Sequence, residues 1–242
     1  VARRNSHFSQ TDWSMIGRLA GDDQAGASEA LDRLLRRYWP AVYSYIRRSG
    51  RDVHEAADLT QSFVSDVLIR RGLLQGADRA KGRFRNLLLE SLRNYLREAH
   101  RTHTRRKRAP KGGVVLGLDI SRAAPEDGEQ SPEGAFDAAW FRTMVQSVFQ
   151  SVREQCLRDG LHVHWSVFEA RIVQPALHGA KPIPFDSIAA ALGLGGASHA
   201  CNLLITVRRR FAKALRAEIA STLDDPARVD DELAELLALI DC

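Results

Sequence analysis

The 242-residue chain reads as all-α: two helical modules joined by a flexible linker. Three observations carry that reading. Apolar residues recur every three to four positions in one segment after another, the period of a helix with one buried face. Between residues 109 and 134 the period lapses in a run rich in proline and glycine, as a connector's does. Beyond it, a short apolar segment, a glycine turn and a longer basic segment follow in the order of a helix-turn-helix.

Residues 1–10 lack any period and are expected to be disordered. The first module spans 11–108. It opens with a short helix from Thr11 carrying Trp13, Ile16 and Leu19. A stronger one covers Ala27 to Trp39 with Leu31, Leu34, Leu35 and Tyr38 on one stripe. Pro40 kinks or restarts it, and Val42, Tyr43, Tyr45 and Ile46 continue the apolar face; aromatics at this spacing read as core rather than as a base-stacking platform. Gly50 and Asp52 close the element. Ala56, Leu59, Phe63, Val67 and Leu68 then predict a helix that leaves Asp58, Gln61 and Asp66 on its outer side.

Gln75 to Gly82 has no helical period and two glycines, so it reads as an exposed loop. From Arg83 a long helix follows. Phe84, Leu87, Leu88, Ser91, Leu92, Tyr95 and Leu96 form its inner stripe, while Arg85, Arg93, Arg97, Arg101, Arg105, Arg106, Lys107 and Arg108 supply cations. From Arg93 to Lys111 eight Lys/Arg stand against one acid, Glu98. Cations fixed on a core-packed helix suit a phosphate backbone, and Asn94 and Tyr95 among them offer an amide and an aromatic ring to bases.

The second module spans 135–223. Phe136, Trp140, Met144, Val145, Val148, Phe149 and Val152 mark its first helix, and a second covers Val163 to Leu177. Phe185, Ile188, Ala189 and Leu192 make a short helix, Gly193 to Gly196 a turn, and Ala197 onward a long helix through Leu204, Val207, Phe211 and Leu215. In a helix-turn-helix the second helix enters the major groove. That makes Ser198, His199 and Asn202 candidates for base edges, with Arg208, Arg209 and Arg210 towards phosphates. Residues 224–242 form an acidic extension with seven acids and one arginine, whose Val229, Leu233, Leu236, Leu237 and Ile240 predict an amphipathic helix. Its charge is suited to shield the basic second module.

These elements match a known order. The run D-L-T-Q-x-F at Asp58 to Phe63, then G-R-F-R-N-L-L-L at Gly82 to Leu89 and L-R-N-Y-L-R-E at Leu92 to Glu98, resembles conserved region two of bacterial sigma factors of the extracytoplasmic-function group. The second module resembles region four of the same group. The T-D-W-S opening at Thr11 to Ser14, with the C-terminal extension, looks like the subgroup of planctomycete-type bacteria. The resemblance implies polymerase docking by Asp58, Gln61 and Phe63, and capture of the melted −10 strand by Arg79, Lys81, Arg83, Asn94, Arg97 and Arg101. It also implies that the second module reads the −35 element. Core RNA polymerase and promoter DNA are the implied partners, with an anti-sigma protein or the extension itself as the regulator. Ser62 stands where the family often has an acid, and Ser198 to Asn202 replace a more basic run.

Composition bounds the rest. A net charge of +5 and a pI near 9.4 are modestly basic, but the acidic extension makes the middle more cationic than the total. Three separated cysteines argue against a disulfide framework and suit a reducing cytoplasm. No apolar run nears the roughly 20 residues that span a bilayer, so a soluble cytoplasmic protein without a membrane partner is expected. His162, His164 and Cys156 lack the paired spacing of a zinc site, and no phosphate-binding loop, nucleophile elbow or dinucleotide fingerprint occurs. The expectation is therefore no metal, no cofactor and no catalysis by this chain. A stand-alone helix-turn-helix regulator, binding duplex DNA without polymerase, is the alternative; an RNA-binding or adaptor helix bundle explains the charge but not the order of modules.

Overall fold

The computed structural model describes residues 24–70, 73, 84–106, 131–223 and 226–238. Every regular element among them is helical, so the all-α class holds. The expected Thr11 helix, the Gln75–Gly82 loop and linker residues 109–130 lie outside the described residues. The described residues fall into two compact units: those up to Thr143 together with Thr222 onward, and Met144–Ser221.

In the first unit, α1 (Gln24–Arg48) runs through Pro40 without interruption, where the sequence suggests a kink or restart. Proline removes one backbone donor, and here the unbroken burial of residues 41–46 supplies packing on all sides. Gly50, at φ 87°, ends the element after Ser49 N–H bonds the Tyr45 carbonyl at 2.9 Å. Asp52 then caps α2 (Val53–Phe63), its carboxylate accepting from Glu55 N–H at 2.8 Å. A π-helical segment, Val64–Arg70, continues α2. Thr60 takes the core position the spacing gives to Leu59; its hydroxyl is satisfied by the Ala56 carbonyl at 2.7 Å, and Leu59 is half-buried.

Helix α3 (Phe84–Arg106) buries Phe84, Leu88 and Leu92, four residues apart. Phe84 meets Tyr38 of α1 edge-on at 5.3 Å, and Tyr95 meets Phe63 of α2 at 5.5 Å, so two aromatic pairs fix α3 against both neighbours. Helix α4 (Pro132–Arg158) starts with Ser131 as cap, Oγ accepting from Gly134 N–H at 3.1 Å, and with proline at the first helical position. Its residues Phe136, Trp140 and Phe141 are buried in this unit.

The remainder of α4, from Met144, belongs to the second unit. Gly160, φ 73°, closes it: Leu161 N–H bonds the Cys156 carbonyl at 2.8 Å, the wrapped bond of a left-handed glycine cap. Next come α5 (His162–Phe168), a π segment (Glu169–Val173) and α6 (Gln174–His178) as one continuous helical stretch. Phe149 stacks on Phe211 at 4.5 Å, and Phe168 lies at 6.0 and 5.9 Å from the two rings. That cluster joins α4 and the α5 stretch to α8 (Ala197–Thr222). Before α8 sits α7 (Phe185–Ala191), whose start is held by Arg171: Nη1 donates to the Ile183 carbonyl at 3.0 Å and the guanidinium covers the Phe185 ring.

The acidic extension forms a 3-10 turn, Pro226–Arg228, and α9 (Val229–Ala238). Its apolar face, Val229 and Leu236 with Glu232, is buried in the first unit. The sequence suggests a cover for the second module; the structure instead pairs Glu232 with Arg85 of α3.

Candidate nucleic-acid interface

Three outward faces carry the candidate residues. On α2, Asp58 is exposed and Gln61 half-buried, within roughly 60° of each other at 100° per residue. Phe63 lies roughly 140° away from Asp58 and is fully buried against Tyr95. Of the three, Asp58 and Gln61 reach the surface, and Phe63 holds the helix that presents them.

On α3, Asn94, Arg97 and Arg101 are all exposed and share one arc of roughly 80° with Asn86 and Glu90, opposite Phe84, Leu88 and Leu92. Arg97 Nη1 lies 3.5 Å from Asn94 Oδ1, so amide and guanidinium are adjacent. Arg79, Lys81 and Arg83 lie outside the described residues. Two other cations of this helix, Arg85 and Arg93, pair with acids of other elements. Arg93 donates to Glu133 at 2.8 Å, and the Tyr45 hydroxyl approaches the same carboxylate at 3.4 Å. The Arg93 hydrogen bond holds the Glu133 carboxyl below its ordinary range, and Glu133 in turn raises the Arg93 guanidinium. Burial pushes the Tyr45 phenol up. Arg85 is nearly buried: Nη2 meets Glu232 at 3.0 Å, Nε faces Asp137 at 3.4 Å, and its plane covers Trp140 at 4.6 Å. Charge counting along the sequence places both arginines among the outward cations, since their acidic partners come from α4 and α9.

On α8, the turn before the helix explains how its first residues face outward. Gly193, φ 63°, closes α7 as Leu194 N–H bonds the Ala189 carbonyl at 2.9 Å. Gly196, φ 116°, then starts α8, its carbonyl accepting from Ala200 N–H at 3.2 Å. These two left-handed positions favour glycine. Ser198, His199, Asn202 and Arg209 are exposed within one arc of roughly 100°, while Ala200, Leu204, Val207 and Leu215 are buried on the other side. Arg208 is exposed outside that arc. Arg210 borders it and pairs with Asp159, at the turn after α4. The row also contains Thr206 and Lys213, both exposed, which the sequence reading omits; their spacing of four and eleven residues from Asn202 was the signal for them.

Chemically, these faces offer amides, hydroxyls, an imidazole and guanidinium groups without a nucleophile-base pair. Among the described residues no group of three or more His, Cys, Asp or Glu is placed to hold a metal ion, and no helix is long and apolar enough to cross a membrane. Comparison with known proteins returns no matching family model, curated protein or solved structure.

Proposed function

We propose that the chain is a sigma-type transcription initiation factor of the extracytoplasmic-function group, which joins core RNA polymerase, reads the −35 and −10 promoter elements and holds the melted strand. The observation that carries this reading is the hairpin of α7, the two-glycine turn and α8, with Ser198, His199 and Asn202 facing outward from the first turns of the long helix. Ser198 to Asn202 span about 6 Å of axis, well within a major groove about 12 Å wide. Arg209 lies about 10 Å beyond Asn202, at the distance where a helix leaves the groove and meets phosphate.

The first unit supports the same reading. Asp58 and Gln61 form a polar patch on α2 suited to a basic or amide-rich partner helix, which is where the family docks on polymerase. Asn94, Arg97 and Arg101 make a row in which cations track phosphates and the amide meets a base edge. Opening a duplex costs stacking energy, and capture of unstacked bases offsets it. Polymerase makes the bonds; this chain supplies position.

Run-off transcription with purified core polymerase, on the fragment upstream of the protein's own gene, tests the proposal. The expected result is factor-dependent transcripts from one start, lost in the Asp58→Ala/Gln61→Ala variant while duplex binding persists. Duplex binding without transcripts or polymerase association on any fragment favours the stand-alone regulator.

A further inference from the structure

The first eleven residues of α8, Ala197 to Val207, contain no Lys, Arg, Asp or Glu, and its cations begin at Arg208. A helix in the major groove reads guanine most often through arginine or lysine and cytosine through a carboxylate, whereas an amide side chain bonds adenine at N6 and N7 together. The end of α8 that would enter the groove therefore has no charged reader of a G·C pair.

It does have an amide. Asn202 is exposed near the middle of the outward arc, roughly 40° from Ser198 one turn before it and roughly 40° from Thr206 one turn after it. Its side-chain amide makes no hydrogen bond among the described residues, so its acceptor and its donors are both open to a partner. The rest of the arc does not compete for the same role. Ser198 and Thr206 carry single hydroxyls, which pair with donors and acceptors alike and discriminate little. His199 stands roughly 60° from Asn202, and its Nδ1 lies 3.8 Å from the point where a side chain on Gly195 would begin, so the imidazole sits over the turn.

We propose that Asn202 sets the base preference of this helix: its amide reads one adenine in the major groove, Oδ1 accepting from N6 and Nδ2 donating to N7, while Arg209 and Lys213 meet phosphates. The inference rests on the reading of α8 as the groove helix, and beyond it names the base. Guanine is disfavoured at that position. Its O6 and N7 are both acceptors, so one of them faces the amide oxygen whichever way the amide is turned.

The test selects duplexes with a randomised central stretch on the full chain and on Asn202→Ala, and sequences the bound pools. Asn202 is exposed and alanine is the better helix former, so the variant keeps the fold, which circular dichroism checks. Expected is one position enriched in adenine, where a change to guanine lowers affinity on the order of tenfold or more, and where Asn202→Ala removes the preference while leaving other positions unchanged. Replacing that adenine by 7-deazaadenine removes N7 alone. It should weaken binding by the full chain and have no further effect on Asn202→Ala, a coupling that a merely structural role would not produce. A bound pool without an adenine position, an adenine preference that survives Asn202→Ala, or a variant that weakens every duplex alike overturns the base assignment and leaves α8 as a duplex-binding helix. Absence of duplex binding by the full chain removes the premise and the assignment with it.

Discussion

Helices α3 and α8 look alike in the sequence: each has an apolar stripe, and each carries several arginines. In the structure they use those arginines differently. Arg85 and Arg93 of α3 are bound to Asp137, Glu232 and Glu133 from other elements, leaving Arg97 and Arg101 on the outward row. On α8, Arg210 is tied to Asp159, while Arg208, Arg209 and Lys213 face outward. A cation near the start of α3 therefore acts as a joint between helices, whereas Arg209 stands exposed on the outward row of α8. What separates the two roles is burial and the reach of a distant carboxylate.

The largest effect that sharpens this contrast is on stability. Arg85→Ala is expected to cost about 3 kcal/mol, the low end for stripping one partner from a buried pair, because Glu232 escapes to water as α9 lets go. Arg210→Ala, whose pair is partly exposed, should cost under about 1 kcal/mol. Urea denaturation of both variants checks the difference; equal losses would erase the distinction between joint and surface. The Arg85→Met/Glu232→Leu variant should recover most of the loss, since apolar residues of similar volume replace a buried pair at little cost.

A second contrast concerns salt. Arg209→Ala should reduce the slope of log affinity for duplex DNA against log salt by about 0.9, the share of one phosphate contact. The Arg85→Met substitution in the full-length chain should leave that slope unchanged, since Glu232 occupies its guanidinium. Binding titrations at several salt concentrations read both slopes.

The same contrast explains what the sequence made legible. Helical period located α1, α2, α3, α7 and α8, because a buried stripe repeats locally and needs no knowledge of its partner. It also put Ser198, His199 and Asn202 in the first turns of α8. What it missed was tertiary: Glu232 is 147 residues from Arg85, so no local charge count links them. Thr60 displaced Leu59 from the core because a hydroxyl can bond the carbonyl one turn back, a choice that hydropathy does not encode. Phe63 illustrates the converse. A motif match marks it for a partner, and packing against Tyr95 places it inside the unit.

The smallest expected effect lies in the Arg93–Glu133 pair, intermediate between joint and surface. Both side chains are more than a third exposed, so the contribution to stability is under about 1 kcal/mol after solvent screening. Its pH dependence nevertheless has a fixed sign. The Glu133 carboxyl is held low, first by the Arg93 hydrogen bond, whereas in the unfolded chain it titrates near the ordinary glutamate value of about 4.3. The unfolded chain thus takes up a proton first as pH falls. The stabilisation is complete above that ordinary value and is lost as pH drops through the lower folded value. Glu133→Gln cannot titrate at this position. The wild-type advantage over it in urea midpoint should be constant near neutral pH and shrink towards pH 3. An advantage that instead grows with acid would mean that Arg93 does not hold the charged carboxylate, and that the pair is a surface contact of no more consequence than an exposed arginine on α8.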